Sequence, residues 1–317
     1  MSEQTSVPAT GRTSPASAPV TPGPGPDREF TVRERSQAQL VLRRFLRHRL
    51  AVASLVAFLL ILAFAYLGPV FWTYDFTTIT DDLSEPPSAR HPFGTDNIGH
   101  DTMAQVMRGT QQSIKIALTV ALIGGVVGSV WGAMAGFYRG WADALMMRFV
   151  DVLLTIPVIA IAAAIGGMGF GGGAWWAIAV ILGALSWPYV SRVVRGVVLS
   201  LREQDFIEAA RALGASDARI ILRHLLPNAL GSIIVVATIT VASAILAETA
   251  LSFIGFGVRS PDTSLGLLVT GAAQAITTRP WLFYLPGIFI ILIALTINFV
   301  GDGLRDAFDP RQTRVRN

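Results

Sequence analysis

Acid, base and metal chemistry has few candidates in these 317 residues. Asp96, His100 and Asp101 would put an imidazole among carboxylates, and Asp96 and His100 would share a face if their segment were helical. A bare His with two carboxylates in a turn-rich loop is more often solvated or capping than metal-ligating, because ligand number and geometry are both unfixed. Gly167, Gly169 and Gly172 satisfy a G-x-G-x-x-G spacing, but that pattern cradles a dinucleotide only inside a strand–turn–helix unit, and no strand precedes it. It reads as a tight interhelical turn. There is no G-x-x-x-x-G-K-[ST] phosphate loop, and Lys115 is the only lysine. No cysteine occurs, which removes thiolate nucleophiles, thiolate metal sites and disulfides together. The chain is therefore expected to hold no nucleotide, metal or cofactor of its own.

Two carboxylates remain, Asp151 and Glu248, both within apolar runs. A charge at the centre of a membrane helix costs roughly 2.5–3.5 kcal/mol, so each should face a bundle interior or an interface. For Asp151 the expectation is an interface position beside Arg148. For Glu248 it is a helix-packing hydrogen bond or a protonated carboxyl rather than a proton relay, since no file of such groups accompanies it.

The elements that would hold these residues follow from hydropathy. Apolar residues make up 52% of the chain, charged residues 15%, and the mean hydropathy is +0.54, values that do not suit a water-soluble domain of this length. Six apolar runs, at about 50–71, 113–137, 150–168, 174–194, 230–254 and 283–301, are each near the ~20 residues that span a hydrocarbon core. They are continuously apolar, without period-2 alternation, so helices are expected rather than barrel strands. The fold class is all-α, a polytopic membrane protein of six transmembrane helices. The residues before Ser113 change from polar-amphipathic to apolar and suggest an interfacial helix bending into the second span.

Arginines orient the bundle. With the N-terminus inside, eight basic residues precede the first span, two lie at Arg139 and Arg148, six run from Arg192 to Arg223, and four follow from Arg305. Those 20 of the 25 basic residues fall on one side, as the positive-inside rule requires. Both termini and residues 201–227 are then cytoplasmic, while 72–112 and 255–282 face outward. The formal charge of +4 is explained by this bias and the anionic inner leaflet, with no nucleic-acid surface needed. Residues 1–27, rich in Pro, Ser, Thr, Ala and Gly, read as a disordered tail within a basic 1–40 segment. The first apolar run follows about fifty residues and precedes five others, so it is an anchor rather than a cleaved signal. Residues 41–311 form the membrane domain and 312–317 a short tail.

The most informative stretch is LREQDFIEAARALGASDARIILRHLLPNALG, residues 201–231. Asp205 is expected as N-cap, with Glu208 completing a capping-box pair. Phe206, Ala209, Ala210 and Leu213 recur at 3–4 residue spacing and predict one small-plus-apolar face. Gly214 supplies a positive-φ stop. Ser216 is placed to cap a second helix carrying Ile220, Ile221, Leu222, Leu225 and Leu226, and Pro227 ends the pattern. A short helix–Gly–helix element between membrane spans is suited to plug into a soluble partner; the bland alternative is an interfacial linker.

Glu208-Ala209-Ala210, then Gly214, then Leu226-Pro227 resembles the cytoplasmic loop of ABC-importer permeases. LRRFLRHRLAV, PPSARHPFGTDNIGHD, AETALSFIGFG and GDGLRDAFDPR resemble the C-type permease subunit of dipeptide/oligopeptide (and nickel) importers, over about residues 40–311. His100 stands where that family usually has Arg, and His224 replaces its usual Ile. The resemblance implies a type I importer permease fold and a paralogous second permease. It also implies two cytoplasmic ABC ATPases, which carry the ATP and Mg, and an extracytoplasmic peptide-binding receptor. Phe206, Glu208, Ala209, Ala210, Arg211, Leu213 and Gly214 would form the ATPase-coupling site. A nickel or small-solute importer would share these motifs, and an ion-coupled carrier is the alternative of a different class.

Overall fold

The computed structural model describes residues 37–308. The expected disordered tail before residue 37 and the tail after 308 lie outside the described residues. A short basic helix, α1 (Gln37–Arg47), is separated by His48 alone from the first span, α2 (Arg49–Phe71). His48 leaves the helical region at φ −84°, ψ 90°, and its Nδ1 accepts a hydrogen bond from the Ala51 amide, so it ends one helix and caps the next.

The second span is α3 (Thr102–Tyr138), 37 residues in one continuous helix. The expected bend near Ser113 is absent. Thr110, Gln112 and Ser113 are buried against neighbouring elements, so the polar first turns sit under a protein cap rather than along a membrane surface. α3 rises about 55 Å at 1.5 Å per residue, and therefore carries two distinct ends of the molecule.

The expected 150–168 span is instead broken. α4 (Gly140–Thr155) and α5 (Val158–Gly167) meet at 73°. Pro157 causes the break: its ring pushes Ile156 to φ −90°, ψ 129° and removes an amide from the helical ladder. After α5 the chain reverses through Gly169, Gly171, Gly172 and Gly173, all at positive φ, which is the tight turn read from the glycine run. α6 (Trp175–Leu201) then returns alongside α3.

The α3–α6 contact is the most extensive in the bundle, and its cause is sequence-local. Gly124, Gly128, Gly132 and Gly136 recur every four residues, hence on one helix face. A Cβ on Gly128 would lie 2.6 Å from the Val190 Cβ and 2.7 Å from the Trp187 carbonyl oxygen; on Gly132 it would strike the Ser191 carbonyl oxygen. Small residues in such a row let two backbones approach within a membrane, where packing rather than hydrophobic exclusion holds helices together.

After the loop helices α7 (Asp205–Ala212) and α8 (Asp217–Ile220), a π-turn over Ile221–Leu225 leads into α9 (Leu226–Phe253). Pro227 was expected to end the pattern, yet the helix runs through it from Asp217 to Phe253. Proline disrupts the bond to the residue four before it, and a π-turn placed just ahead absorbs the defect by shifting to i→i+5 pairing, as in the Leu226 amide to Ile221 carbonyl bond. α10 (Leu265–Ala272) and the last span, α11 (Pro280–Phe308), complete the chain. The main core, with Ile114, Ala117, Ile178, Leu182, Ile245 and Ile293 among its members, lies where α3, α6, α9 and α11 meet.

Candidate functional site

At the far end of α3 from its cap, a second apolar cluster joins the bundle to the loop. Ile207 and Ala210 are buried with Phe137 of α3, Val190, Val194 and Val198 of α6, Ile220 of α8, and Ile221 and Leu225 of the π-turn after it. α7 thus lies on the end of the α3–α6 pair and is anchored by an i, i+3 pair of side chains. Phe137 also carries Arg211 over its ring at 5.2 Å, and Arg202 over it at 5.7 Å. Arg202 additionally donates to the Phe137 carbonyl. Burial, with the charges of Arg139 and Arg211, lowers Arg202 from the ordinary arginine value, and Glu203 opposes the shift. Arg139 is in turn paired to Glu203 at 2.6 Å.

This geometry divides the expected apolar face. Ala210 points inward with Ile207, a residue the spacing argument passed over, although Ile207 with Ile220 and Ile221 is the β-branched aliphatic set of the segment. Phe206 and Leu213 point outward, 41% and 88% exposed, and Ala209 is exposed between them. Capping also differs. Gln204, not Asp205, is the N-cap, and its side chain makes no cap bond. Glu208 therefore sits one position too late for a capping box, and its side chain has no hydrogen bond or ion pair with any described residue. Asp205 and Glu208 instead place negative charge in the first turn, where the helix dipole favours it. Ser216 does stand at the N-cap of α8, without a side-chain cap bond.

Gly214 has the expected conformation, φ +79°. Its amide bonds to the Arg211 carbonyl at 2.9 Å, and the Ala215 amide reaches back to the Ala210 carbonyl at 3.0 Å. That pair of bonds is the Schellman closure of a helix C-terminus. Leu213, the residue before it, is thereby held in solvent on a rigid turn rather than on a loose loop.

The opposite end is capped by residues 72–101 and 255–264. Asp101 is fully buried. Its Oδ1 accepts from the Trp72 Nε1 at 3.0 Å and the Ala104 amide at 2.8 Å, which makes it the N-cap of α3, and its Oδ2 lies 2.7 Å from His91 Nδ1. His91 Nε2 faces Asp82 at 3.3 Å. His100 pairs with Asp96 at 2.9 Å. The trio weighed for metal binding is thus divided between two separate jobs, loop closure and helix capping. Thr77 donates twice to Asp75, which holds that carboxyl below its usual value. Arg108 grips Asp262 through Nε and Nη2, at 2.8 and 3.2 Å, and ties α3 to the segment before α10.

The two intramembrane carboxylates are both accounted for. Glu248 is completely buried and accepts from Ser264 and Ser252 at 2.7 and 2.8 Å and from Ser113 at 3.2 Å, so it pins α9 to α3 and to the start of α10. That is the helix-packing arrangement expected of it. Asp151 pairs with Arg192 of α6 at 2.5 Å, not with Arg148. The bend at Pro157 swings α4 across α6, and Asp143 beside it makes a two-pronged bond to Arg195.

A bundle of this kind, with a broken third span and a two-helix element projecting from one end, is a membrane permease of the type I importer fold. The family described as binding-protein-dependent transport system inner membrane component matches residues 128–314, and the N-terminal TM domain of oligopeptide transport permease C matches residues 36–87. The oligopeptide transport system permease protein OppC of Mycobacterium tuberculosis (strain ATCC 25618 / H37Rv) is 41% identical over 89% of this chain and 97% of its own length. A putative peptide permease protein of Brucella suis is 38% identical, over 84% and 89%. OppC of Bacillus subtilis is 35% identical, over 84% and 88%. In fold, the chain is similar to a structure of the MetNI methionine ABC transporter in an inward-facing conformation, with a TM-score of 0.55 and 22% identity over 65% of this chain and 97% of that one. This protein belongs to the binding-protein-dependent transport system inner membrane components and, within them, to the C-type permeases. It is a multi-pass inner-membrane transport subunit.

Proposed function

We propose that this chain forms half of the translocation pathway of an ATP-driven peptide importer, paired with a similar but non-identical permease. Peptide as cargo is supported by the named peptide permeases, which match 84% to 89% of this chain. In this reading both termini and the 201–227 loop are cytoplasmic, in keeping with the arginine bias, and the 72–101 cap faces an extracytoplasmic peptide receptor.

The observation that carries the reading is the outward face of α7. Phe206, Ala209 and Leu213 stand in solvent on a helix whose other face is buried in the bundle. An exposed Leu on a rigid turn has no structural use within the chain; in a groove of an ATPase subunit it becomes an anchor, with Phe206 beside it and Ala209 allowing close backbone approach. Glu208 is exposed on the same helix, whereas Arg211, also exposed, leans over the Phe137 ring on the bundle side. Because Ile207 and Ala210 share one buried cluster with Phe137, Val194 and Val198, a displacement of α7 by its partner would be passed through that cluster to the ends of α3 and α6. ATP and Mg remain on the partner subunits; here the chain supplies only the lever.

The test is uptake of a labelled peptide by the assembled complex, together with co-purification of the ATPases. The purified single chain should hydrolyse no ATP. Leu213→Ser should leave insertion and pairing with the second permease intact while uptake and ATPase retention fall. Normal uptake and retention in that variant would make the loop a linker.

A further inference from the structure

The basic helix ahead of the first span has an asymmetry that docking to the rest of the chain does not use up. Val41, Arg44, Phe45 and His48 turn inward: Phe45 packs with Ala51 and Ala307, Arg44 donates to the Ala307 carbonyl at the end of α11, and His48 lies 3.6 Å from Asp306. Leu42 and Leu46, four apart and so on one face, are each 58% exposed, and Leu50 at the start of α2 is 51% exposed. Arg43 and Arg47, also four apart, form the adjoining stripe and are exposed, as is Arg49. None of these three arginines has a carboxylate partner among the described residues.

We propose that α1 is an anionic-phospholipid docking helix. It would lie in the headgroup layer with Leu42 and Leu46 in the upper acyl region and Arg43, Arg47 and Arg49 against lipid phosphates. Two observations select this occupant. First, α1 is separated from a membrane-spanning helix by one residue, and exposed Leu50 stands at the start of that span, just beyond exposed Leu42 and Leu46. Second, three guanidinium groups with no carboxylate partner among the described residues, beside exposed leucines, have the two-part chemistry of an interfacial helix, with apolar side chains inserting and cations meeting lipid phosphate. The anchor of Phe45 and Arg44 on α11 would then fix the last span in depth as well as the first. This reading rests on α2 crossing the bilayer and not on the cargo or the ATPase partners.

The absence of native cysteine allows a spin label on Leu46→Cys in the full chain. Phosphatidylglycerol is titrated into zwitterionic micelles holding the protein, and accessibility of the label to a water-soluble nickel relaxant is followed. Protection should rise with phosphatidylglycerol and not with phosphatidylcholine. Arg43→Gln and Arg47→Gln should each move the midpoint to a higher mole fraction, on the order of five-fold per arginine, while Arg219→Gln on the loop should not. A label that stays water-exposed, an equal response to both lipids, or unchanged midpoints in the arginine variants would each overturn the proposal. So would protection that needs added ATPase subunits, because it would give the face to a protein.

Discussion

The two ends of α3 are built on opposite principles. At the 72–101 end, side chains capable of chemistry are consumed by structure: Asp101 and His91 are fully buried, and Asp101 answers an indole, a backbone amide and an imidazole at once. At the 202–225 end, apolar side chains that a lone chain would bury stand in water on a helix held firmly from below. A cap that must keep its shape invests in polar groups that satisfy one another, since each unsatisfied one is costly, although Thr102 Oγ1, Gln112 Oε1 and Trp281 Nε1 at this end find no partner among the described residues. A surface made to receive another protein leaves its apolar groups uncovered. In the proposed reading only the second is a functional site, though the first looks more like one in sequence.

The largest effect should come from breaking the cap. Asp101→Ala strands the Trp72 indole N–H and the His91 ring and removes the N-cap of α3. Lost cap and unmet donors together should cost about 3–5 kcal/mol. Thermal unfolding in micelles should show this as a strong destabilisation, with Asp101→Asn milder because its carbonyl oxygen can still serve Trp72 and the Ala104 amide. A small effect for the alanine variant would mean that the cap is not the rigid end.

Next come variants inside the loop. Gly214→Val forces a β-branched residue to φ +79°, worth about 1–3 kcal/mol of local strain, although open space surrounds the Cβ position. Uptake should collapse while the spans still assemble. Ala210→Trp should behave differently from a docking block: Ala210 is buried on Phe137 and its neighbours, so the bulk overpacks the chain's own cluster and costs about 1–3 kcal/mol. The docking block belongs at Ala209, where Ala209→Trp should spare stability and abolish ATPase retention. Equal stability losses at 209 and 210 would erase the inward and outward faces.

Much of this was legible beforehand. Span positions followed from apolar runs because lipid leaves helices few alternatives, and Gly214 announced its turn because few residues tolerate its φ. The α3–α6 seam was not read, although the four-residue glycine repeat from Gly124 to Gly136 carries it, because hydropathy alone passes over glycine. The division of α7 into Ile207/Ala210 and Phe206/Ala209/Leu213 was not legible. An eight-residue helix with apolar residues on two faces does not say which face meets the bundle; that depends on where α3 and α6 end. The Pro157 break and the continuity through Pro227 were hidden for a related reason: a proline's local cost is fixed, but whether the chain bends or takes a π-turn is set by what packs around it.

The smallest expected effect is the most discriminating. Glu208 was first read as a capping residue, and with Gln204 at the N-cap that role is gone; what remains is a first-turn charge on an exposed, unpaired side chain. Glu208→Gln removes the charge and almost nothing else, so stability should change by no more than about 0.5 kcal/mol. If the outward face of α7 is an anchor of apolar contacts alone, uptake should also be nearly unchanged. If the ATPase groove presents a cation to this position, the neutral variant should lose retention with normal folding, and the loss should shrink as salt is raised, because screening already weakens the wild-type contact. Measuring ATPase retention for Glu208→Gln at low and high salt separates the two. A loss of folding would contradict both, since this carboxylate has no hydrogen bond or ion pair among the described residues.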